Sequence, residues 1–224
     1  YGPKPSQNIA SSDPVVVKNA LDFWNKVFQV LYALDINTVG GGLYYYWPVD
    51  YTKPIDKQKD WESSVKGVRQ LADLASDFGI NICMEALNRH EGFLINTATE
   101  CVDFVNQTER KNVKVMLDTY HMNMEEDDMS EAILSTKGLL GHFHVGENNR
   151  RLPGQGTIVD WKKIGQALKE ISYNDAVVME PFVLMGGKVG SDIKIWRDLS
   201  NQATEEMMDL QAKESLAFLK KIFD

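Results

Sequence analysis

The sequence predicts an α/β barrel, and three observations carry that reading. Helical repeats and short apolar runs alternate as one helix followed by five strand–helix pairs, the order that builds a parallel sheet with helices on its outer face. Four of the apolar runs end in an ionisable residue: Glu85 in NICMEAL, Asp118 in VKVMLDT, His144 in LLGHFHV and Glu180 in AVVMEPF. These stand 33, 26 and 36 residues apart, each about the length of one strand-plus-helix unit. A chain that repeatedly sets such a side chain at the C-terminal end of a buried strand builds one shared site, and barrel active sites gather at that face.

Asp13-Pro14 opens the first helix as an N-cap followed by proline at the first helical position. Val17, Ala20, Leu21, Trp24, Phe28 and Leu31 recur at helical spacing, so this helix runs to about Leu34. Ile36 to Gly40 is a short apolar run closing on three glycines, as suits a strand whose exit lies close to a ligand or a neighbouring backbone. After a loop holding Tyr44, Tyr45, Tyr46, Trp47 and Pro48, a helix runs from about Lys59 to Phe78, with Gly79 as its stop. Strand Ile80 to Ala86 follows. Thr97 and Glu100 then form a capping-box pattern at the head of a helix carrying Cys101, Phe104 and Val105. Strand Val113 to Asp118 leads to an acidic loop, Glu125 to Asp128, and a short helix around Glu131 to Ser135 whose dipole suits that charge. Strand Leu139 to Val145 precedes the loop GENNRRLPGQG, and Asp160 caps a helix holding Trp161, Ile164, Leu168 and Ile171. Strand Ala176 to Pro181 leads into a glycine-rich loop, and a last helix spans about Thr204 to Phe223. No linker or low-complexity stretch divides residues 1–224, which read as a single domain.

With 224 residues, 43% hydrophobic and 25% charged, the chain is long enough to bury a sizeable core. Its net charge of −8 disfavours nucleic acid as a partner, since phosphate binding needs a basic face. No apolar stretch approaches the roughly 20 residues that span a bilayer, and the start does not resemble a signal peptide. Cys83 and Cys101 read as free buried thiols in a reducing cytoplasm.

Side chains alternate along a strand, so Cys83 shares a face with Glu85, Met116 with Asp118, His142 with His144 and Val178 with Glu180. With the ionisable positions facing the barrel axis, all four converge. Three carboxylates and one imidazole suit Mn2+, Co2+ or Mg2+ rather than a sulfur-rich zinc centre. A lone strand-end carboxylate commonly makes a local hydrogen bond or salt bridge. Four in successive units are a different matter, because burying three carboxylates together without a cation is costly. His142, inward beside His144, is expected to support that ligand.

The stretches around these positions are MEALNRHEG, MLDTYHMNMEE, GHFHVGENNRR and VVMEPF. They resemble the ketose 3-epimerases, the D-tagatose 3-epimerase and D-psicose (D-allulose) 3-epimerase group, and in particular its D-psicose branch. The similarity extends from GPKPS through GGLYYYWP and GSDIKIWRDLS to the final helix. The resemblance implies a (β/α)8 TIM barrel of which the chain carries the third to eighth helices and the fourth to eighth strands. It implies a metal ion, Mn2+ foremost, held by Glu85, Asp118, His144 and Glu180. That ion chelates O2 and O3 of a ketohexose and acidifies the C3 proton. Glu85 and Glu180 are then the catalytic acid/base pair, removing a proton from one face of C3 and returning one to the other through an enediolate. Glu91, His121 and Arg150 match residues that hydrogen-bond the O1–O3 end of the sugar, and Trp47 and Phe182 match apolar walls. His90 departs from the family, where relatives often carry an apolar aromatic. The implied reaction interconverts D-fructose and D-psicose, or D-tagatose and D-sorbose, in a homodimer or homotetramer.

Three alternatives stand beside this reading. One is an aldose–ketose isomerase on the same metal architecture. Another is a sugar-phosphate epimerase, with Gly186, Gly187, Lys188 and Gly190 receiving phosphate. The third is an inactive barrel fragment, because a five-strand open sheet leaves two unpaired edges. A barrel endonuclease needs more metal-binding histidines than the four present. The chain opens at Tyr1-Gly-Pro-Lys-Pro-Ser, which reads as mid-loop, and the expectation is that earlier strands exist in the working protein.

Overall fold

In the computed structural model, which describes residues 2–223, five parallel strands lie side by side in sequence order. They are β1 (Thr38–Gly41), β2 (Asn81–Glu85), β3 (Val113–Asp118), β4 (Leu140–Val145) and β5 (Val177–Met179). The helices are α1 (Pro14–Ala33), α2 (Lys57–Ser76), α3 (Ala98–Thr108), α4 (Thr119–Glu125), α5 (Met129–Ser135), α6 (Trp161–Glu170), α7 (Gly187–Asp192) and α8 (Glu205–Phe223). A strand order that never reverses is that of a barrel wall, since a doubly wound sheet reverses at its switch point. Among the described residues β1 pairs only with β2 and β5 only with β4, so the wall is open.

The core lies between the outer face of this wall and the helices. Ile82, Met84, Val115, Leu117, Phe143 and Val145 are wholly buried there, against Leu71 and Ala75 of α2, Phe104 of α3 and Ile164 of α6. Phe104 meets Trp61 edge-on at 5.1 Å between ring centroids, and burying such a side chain stabilises by about 1.5–3 kcal/mol. Both cysteines are free and buried. No helix among the described residues is long and apolar enough to cross a membrane.

Local chemistry sets the helix starts where the sequence predicts them. Asp13 accepts from the Val15 amide at 2.8 Å, and Asp160 from that of Lys163 at 3.2 Å. The predicted box at α3 is half-formed: Thr97 accepts from the Glu100 amide, but Glu100 returns to Asn96 rather than to the cap. The stretch before the acidic run is not a loop but helix α4, because Asp118 ends β3 and at once caps the next helix through Tyr120 N–H. The glycine-rich stretch after β5 likewise contains a turn of helix, α7, entered through Gly186 and Gly187 at positive φ and braced by a Lys188–Asp192 ion pair. β5 is shorter than predicted, which leaves Glu180 just past its end.

Register brings the strand ends to one place. Val115 faces Leu140 but Met116 faces His142, so Gly141 is an extra residue in β4. This bulge turns His142 and His144 to the face that Met116 and Asp118 occupy. A Cβ at Gly141 would lie 2.6 Å from Lys114 Cβ, so the close approach requires glycine. Glu85 lies opposite Met116, Asp118 opposite His144, and His144 opposite Val178. The ionisable positions therefore climb two, none and two residues across three strand pairs. Strands of a barrel with a shear of 8 slip by about one residue per strand, so the four side chains end at nearly the same height along the barrel axis.

Candidate active site

Each of the four strand-end residues is placed by its own element. Glu85 ends β2, and its carbonyl accepts from the Tyr44 hydroxyl at 2.8 Å. Asp118 uses Oδ1 to cap α4 and keeps Oδ2 for the site. Thr119 Oγ1 donates to the Gly146 carbonyl and accepts from its N–H, at 2.7 and 2.9 Å, tying the ends of β3 and β4 together. The Glu180 N–H donates to the Val145 carbonyl at 3.1 Å, which prolongs the β4–β5 alignment by one step.

The donor atoms converge. His144 Nδ1 lies 3.6 Å from Glu180 Oε1 and 3.9 Å from Asp118 Oδ2, and it is buried with no hydrogen-bond partner. Two atoms each bonded to one ion at about 2.1 Å are separated by about 3–4.2 Å, so these spacings fit a shared cation. Two sets of three could hold one: Asp118, His144 and Glu180, or Glu85, Asp118 and His121. Asp118 belongs to both. In the second set His121 already has its Nδ1 engaged by Asn88, at 3.1 Å from the backbone N–H and 2.8 Å from the side-chain amide.

The clustered carboxylates shift one another's charge state. Burial, reinforced by Asp118 and Glu180, pushes the Glu85 carboxyl up to about 8. Burial also raises Asp118 to about 6, against the pull of Arg150. At Glu180 burial acts upward but is outweighed by His144 and Arg150, and the carboxyl falls to about 2. His144 is raised because Glu180, Glu85 and Asp118 overcome its burial, while His121, buried and beside Arg150, is pushed well below its ordinary value. One buried guanidinium serves three carboxylates: Arg150 lies 2.9 Å from Glu180, 3.3 Å from Glu91 and 3.5 Å from Asp118. Its guanidinium lies over the ring of Tyr120, 3.6 Å from the ring centre, and over that of Phe182, 5.2 Å away.

All five predicted sugar contacts, Trp47, Glu91, His121, Arg150 and Phe182, line one cavity of about 250 Å³ with Glu85 and Glu180. Asp118 and His144 are not among its lining residues but adjoin it through Glu180. The His142 ring meets His144 edge-on, with 5.0 Å between ring centroids. The phosphate-loop alternative gains nothing: Val189 and Ile193 reach the cavity, whereas Lys188 is exposed and paired with Asp192.

The xylose isomerase-like TIM barrel family matches residues 2–222. The D-psicose 3-epimerase of Ruminiclostridium cellulolyticum is 53% identical over the whole chain, which spans 76% of that protein. The chain belongs to the D-psicose 3-epimerase family. The D-psicose 3-epimerase of Agrobacterium fabrum is 50% identical over 97% of the chain, which spans 75% of that relative. A crystal structure of D-psicose 3-epimerase with D-tagatose, from Clostridium cellulolyticum H10, superposes with a TM-score of 0.97 at 53% identity, covering all of this chain and 77% of that one. Epimerases are isomerases, so the chain is an enzyme of that class, and its open wall is part of a TIM barrel.

Some residues of this family site escaped the sequence reading. Tyr120 was visible between Asp118 and His121, yet its role as a platform for Arg150 depends on a contact 30 residues away in sequence. Glu125, read as part of an acidic loop, accepts three hydrogen bonds from Arg89 beside Glu91. Glu147 is one of the residues of GHFHVGENNRR that carry the resemblance, but its role was not legible: fully buried, it accepts from Trp161 Nε1 at 3.0 Å and Gly154 N–H at 2.7 Å, closing the loop that carries Arg150. Asn88 joins His121 to Glu91.

Proposed function

We propose that the protein is a metal-dependent ketose 3-epimerase that interconverts D-fructose and D-psicose, or D-tagatose and D-sorbose, at C3. The observation carrying this reading is the convergence of Glu85 and Glu180 on one cavity, with Asp118 and His144 beside Glu180. In this reading residues 1–224 form a single domain, the fourth to eighth strands and third to eighth helices of an eight-stranded barrel. The working protein is a cytoplasmic homodimer or homotetramer.

Glu85, Asp118, His144 and Glu180 hold the ion, Mn2+ with Co2+ or Mg2+ as alternates. Bound there, it supplies Lewis-acid polarisation of ketose O2 and O3, which acidifies the C3 proton. Glu85 and Glu180 flank C3. One carboxylate removes its proton and the other returns one to the opposite face, so the enediolate need not turn over between the steps. Glu91, His121 and Arg150 hydrogen-bond the O1–O3 end. Arg150 is already fixed by three carboxylates and two rings, so little ordering is left to be done when the sugar arrives. Trp47 and Phe182 wall the carbon chain.

The test is product identification from D-fructose with the full-length protein and added Mn2+. D-psicose is the expected product; an aldose would establish the isomerase alternative, and turnover of the phosphate ester alone the sugar-phosphate one. Glu85→Gln and Glu180→Gln should each lower kcat by about 10²–10⁴-fold with the thermal transition retained. Most activity surviving in either variant refutes the two-base assignment.

A further inference from the structure

Asn88 sits three residues beyond Glu85 and is 1% exposed. Its side-chain amide has one orientation, because Oδ1 accepts from the His90 N–H at 3.0 Å and Nδ2 donates to Glu91 Oε1 at 3.1 Å. The same Nδ2 lies 2.8 Å from His121 Nδ1, and the Asn88 backbone N–H donates to that nitrogen at 3.1 Å. Both groups are donors, so His121 Nδ1 presents a lone pair and carries no hydrogen. An imidazole with a bare Nδ1 bears its proton on Nε2. That Nε2 faces the cavity, 3.8 Å from Glu85 Oε1. The two partners are also held in step. Arg89, next to Asn88, donates its N–H, Nε and Nη2 to Glu125 at 2.7, 3.0 and 2.8 Å, and Glu125 is the last residue of the helix that carries His121.

We infer that Asn88 is a positioning residue that locks His121 in the Nε2–H form, making it a hydrogen-bond donor to a ketose oxygen and closing it as a metal ligand. The role toward the sugar rests on the ketose reading above; the tautomer does not. Of the two possible ligand sets, the one with His121 has both ring nitrogens spoken for, Nδ1 by Asn88 and Nε2 by its proton. A carbonyl or hydroxyl oxygen at the O1–O3 end can accept from Nε2–H. An acceptor in place of the Asn88 amide would instead draw the proton to Nδ1 and leave a lone pair facing the sugar, and that recognition would be lost.

The experiment is a long-range ¹H–¹⁵N spectrum of the full-length protein, labelled with [¹⁵N]histidine and loaded with Mg2+, the His121 signals being assigned by their loss in His121→Gln. In the wild type the proton is expected on Nε2. Asn88→Asp sets a carboxylate acceptor where the amide donor was, and should move the proton to Nδ1 and lower kcat/KM on D-fructose by about 10–100-fold. Asn88→Ala keeps the backbone donor and should keep the Nε2–H form. A wild-type proton on Nδ1, or an unchanged tautomer in Asn88→Asp, overturns the inference. If Asn88→Asp does not fold, the wild-type and Asn88→Ala spectra decide it. These spectra need no turnover, so a protein that fails to epimerise ketoses refutes the functional reading and leaves the tautomer to be judged separately.

Discussion

Replacing Gly141 by alanine tests whether a backbone irregularity in β4 places the proposed metal ligands. The added Cβ would lie 2.6 Å from Lys114 Cβ, 2.9 Å from Lys114 Cγ and 3.0 Å from Cys83 Sγ. Ordinary carbon contacts are about 3.5–4.0 Å, so roughly 1 Å must be found. Lys114 Cβ is fixed to its strand and no side-chain rotation moves it, so the bulge or the β3–β4 spacing has to give. Overpacking costs about 1–3 kcal/mol, and an overlap this deep with a fixed carbon takes the upper half of that range; replacing a strand glycine returns about 0.5–1 kcal/mol of chain entropy, leaving a net loss of about 1–2.5 kcal/mol. For a chain of this length each kcal/mol moves Tm by about 2–4 °C. His144 is three residues along the same strand, and its displacement should weaken divalent-metal binding in a calorimetric titration. Lys114→Gly removes the two obstructing carbons, so the double variant should recover most of the urea stability, with a coupling of about 0.5–3 kcal/mol. The reasoning fails if Gly141→Ala unfolds within about 0.5 kcal/mol of wild type, or if the cycle shows no coupling.

Two further outcomes follow from the site's charges and its loop. Glu85 keeps a proton in the native metal-free protein up to about pH 8, and the unfolded chain loses it near its ordinary value, so native protein binds more protons in that range. Stability in chelator should therefore fall as pH rises from about 6.5 to 8. The raised His144 acts with the same sign, while the depressed His121 acts only below its ordinary value. Glu85→Gln should flatten the slope of Tm against pH, and a flat or rising wild-type curve contradicts the assignment. Glu147→Ala leaves the Trp161 indole N–H and the Gly154 N–H without their acceptor, at a cost of about 2–4 kcal/mol in urea unfolding. It should raise KM for the ketose more than it lowers kcat, with Glu147→Gln recovering most of both; an unchanged urea midpoint contradicts that role.

What could be read from the sequence depended on how local each cause is. Buried parallel strands announce themselves as apolar runs, so β2 to β4 and the residues at their ends were legible, and the cost of gathering three carboxylates already called for a cation. Which face each strand turns inward is not local. Parity pairs His142 with His144, but only the bulge at Gly141 aligns that face with Asp118, and the bulge is a property of two strands. Helix α4 was missed because one residue, Asp118, ends a strand and starts a helix. Nothing in the sequence itself separates Arg150 from its neighbour Arg151; only the resemblance singles out Arg150. In the structure Arg150 has φ at 67°, and its side chain runs inward to Glu91, Asp118 and Glu180. Asn88 carries no signal of its role in the sequence, because its partner His121 lies 33 positions away. The candidate ligands were thus readable from the cost of burying charge, whereas the residues that orient them were not, since orientation comes from contacts between segments that the sequence holds far apart.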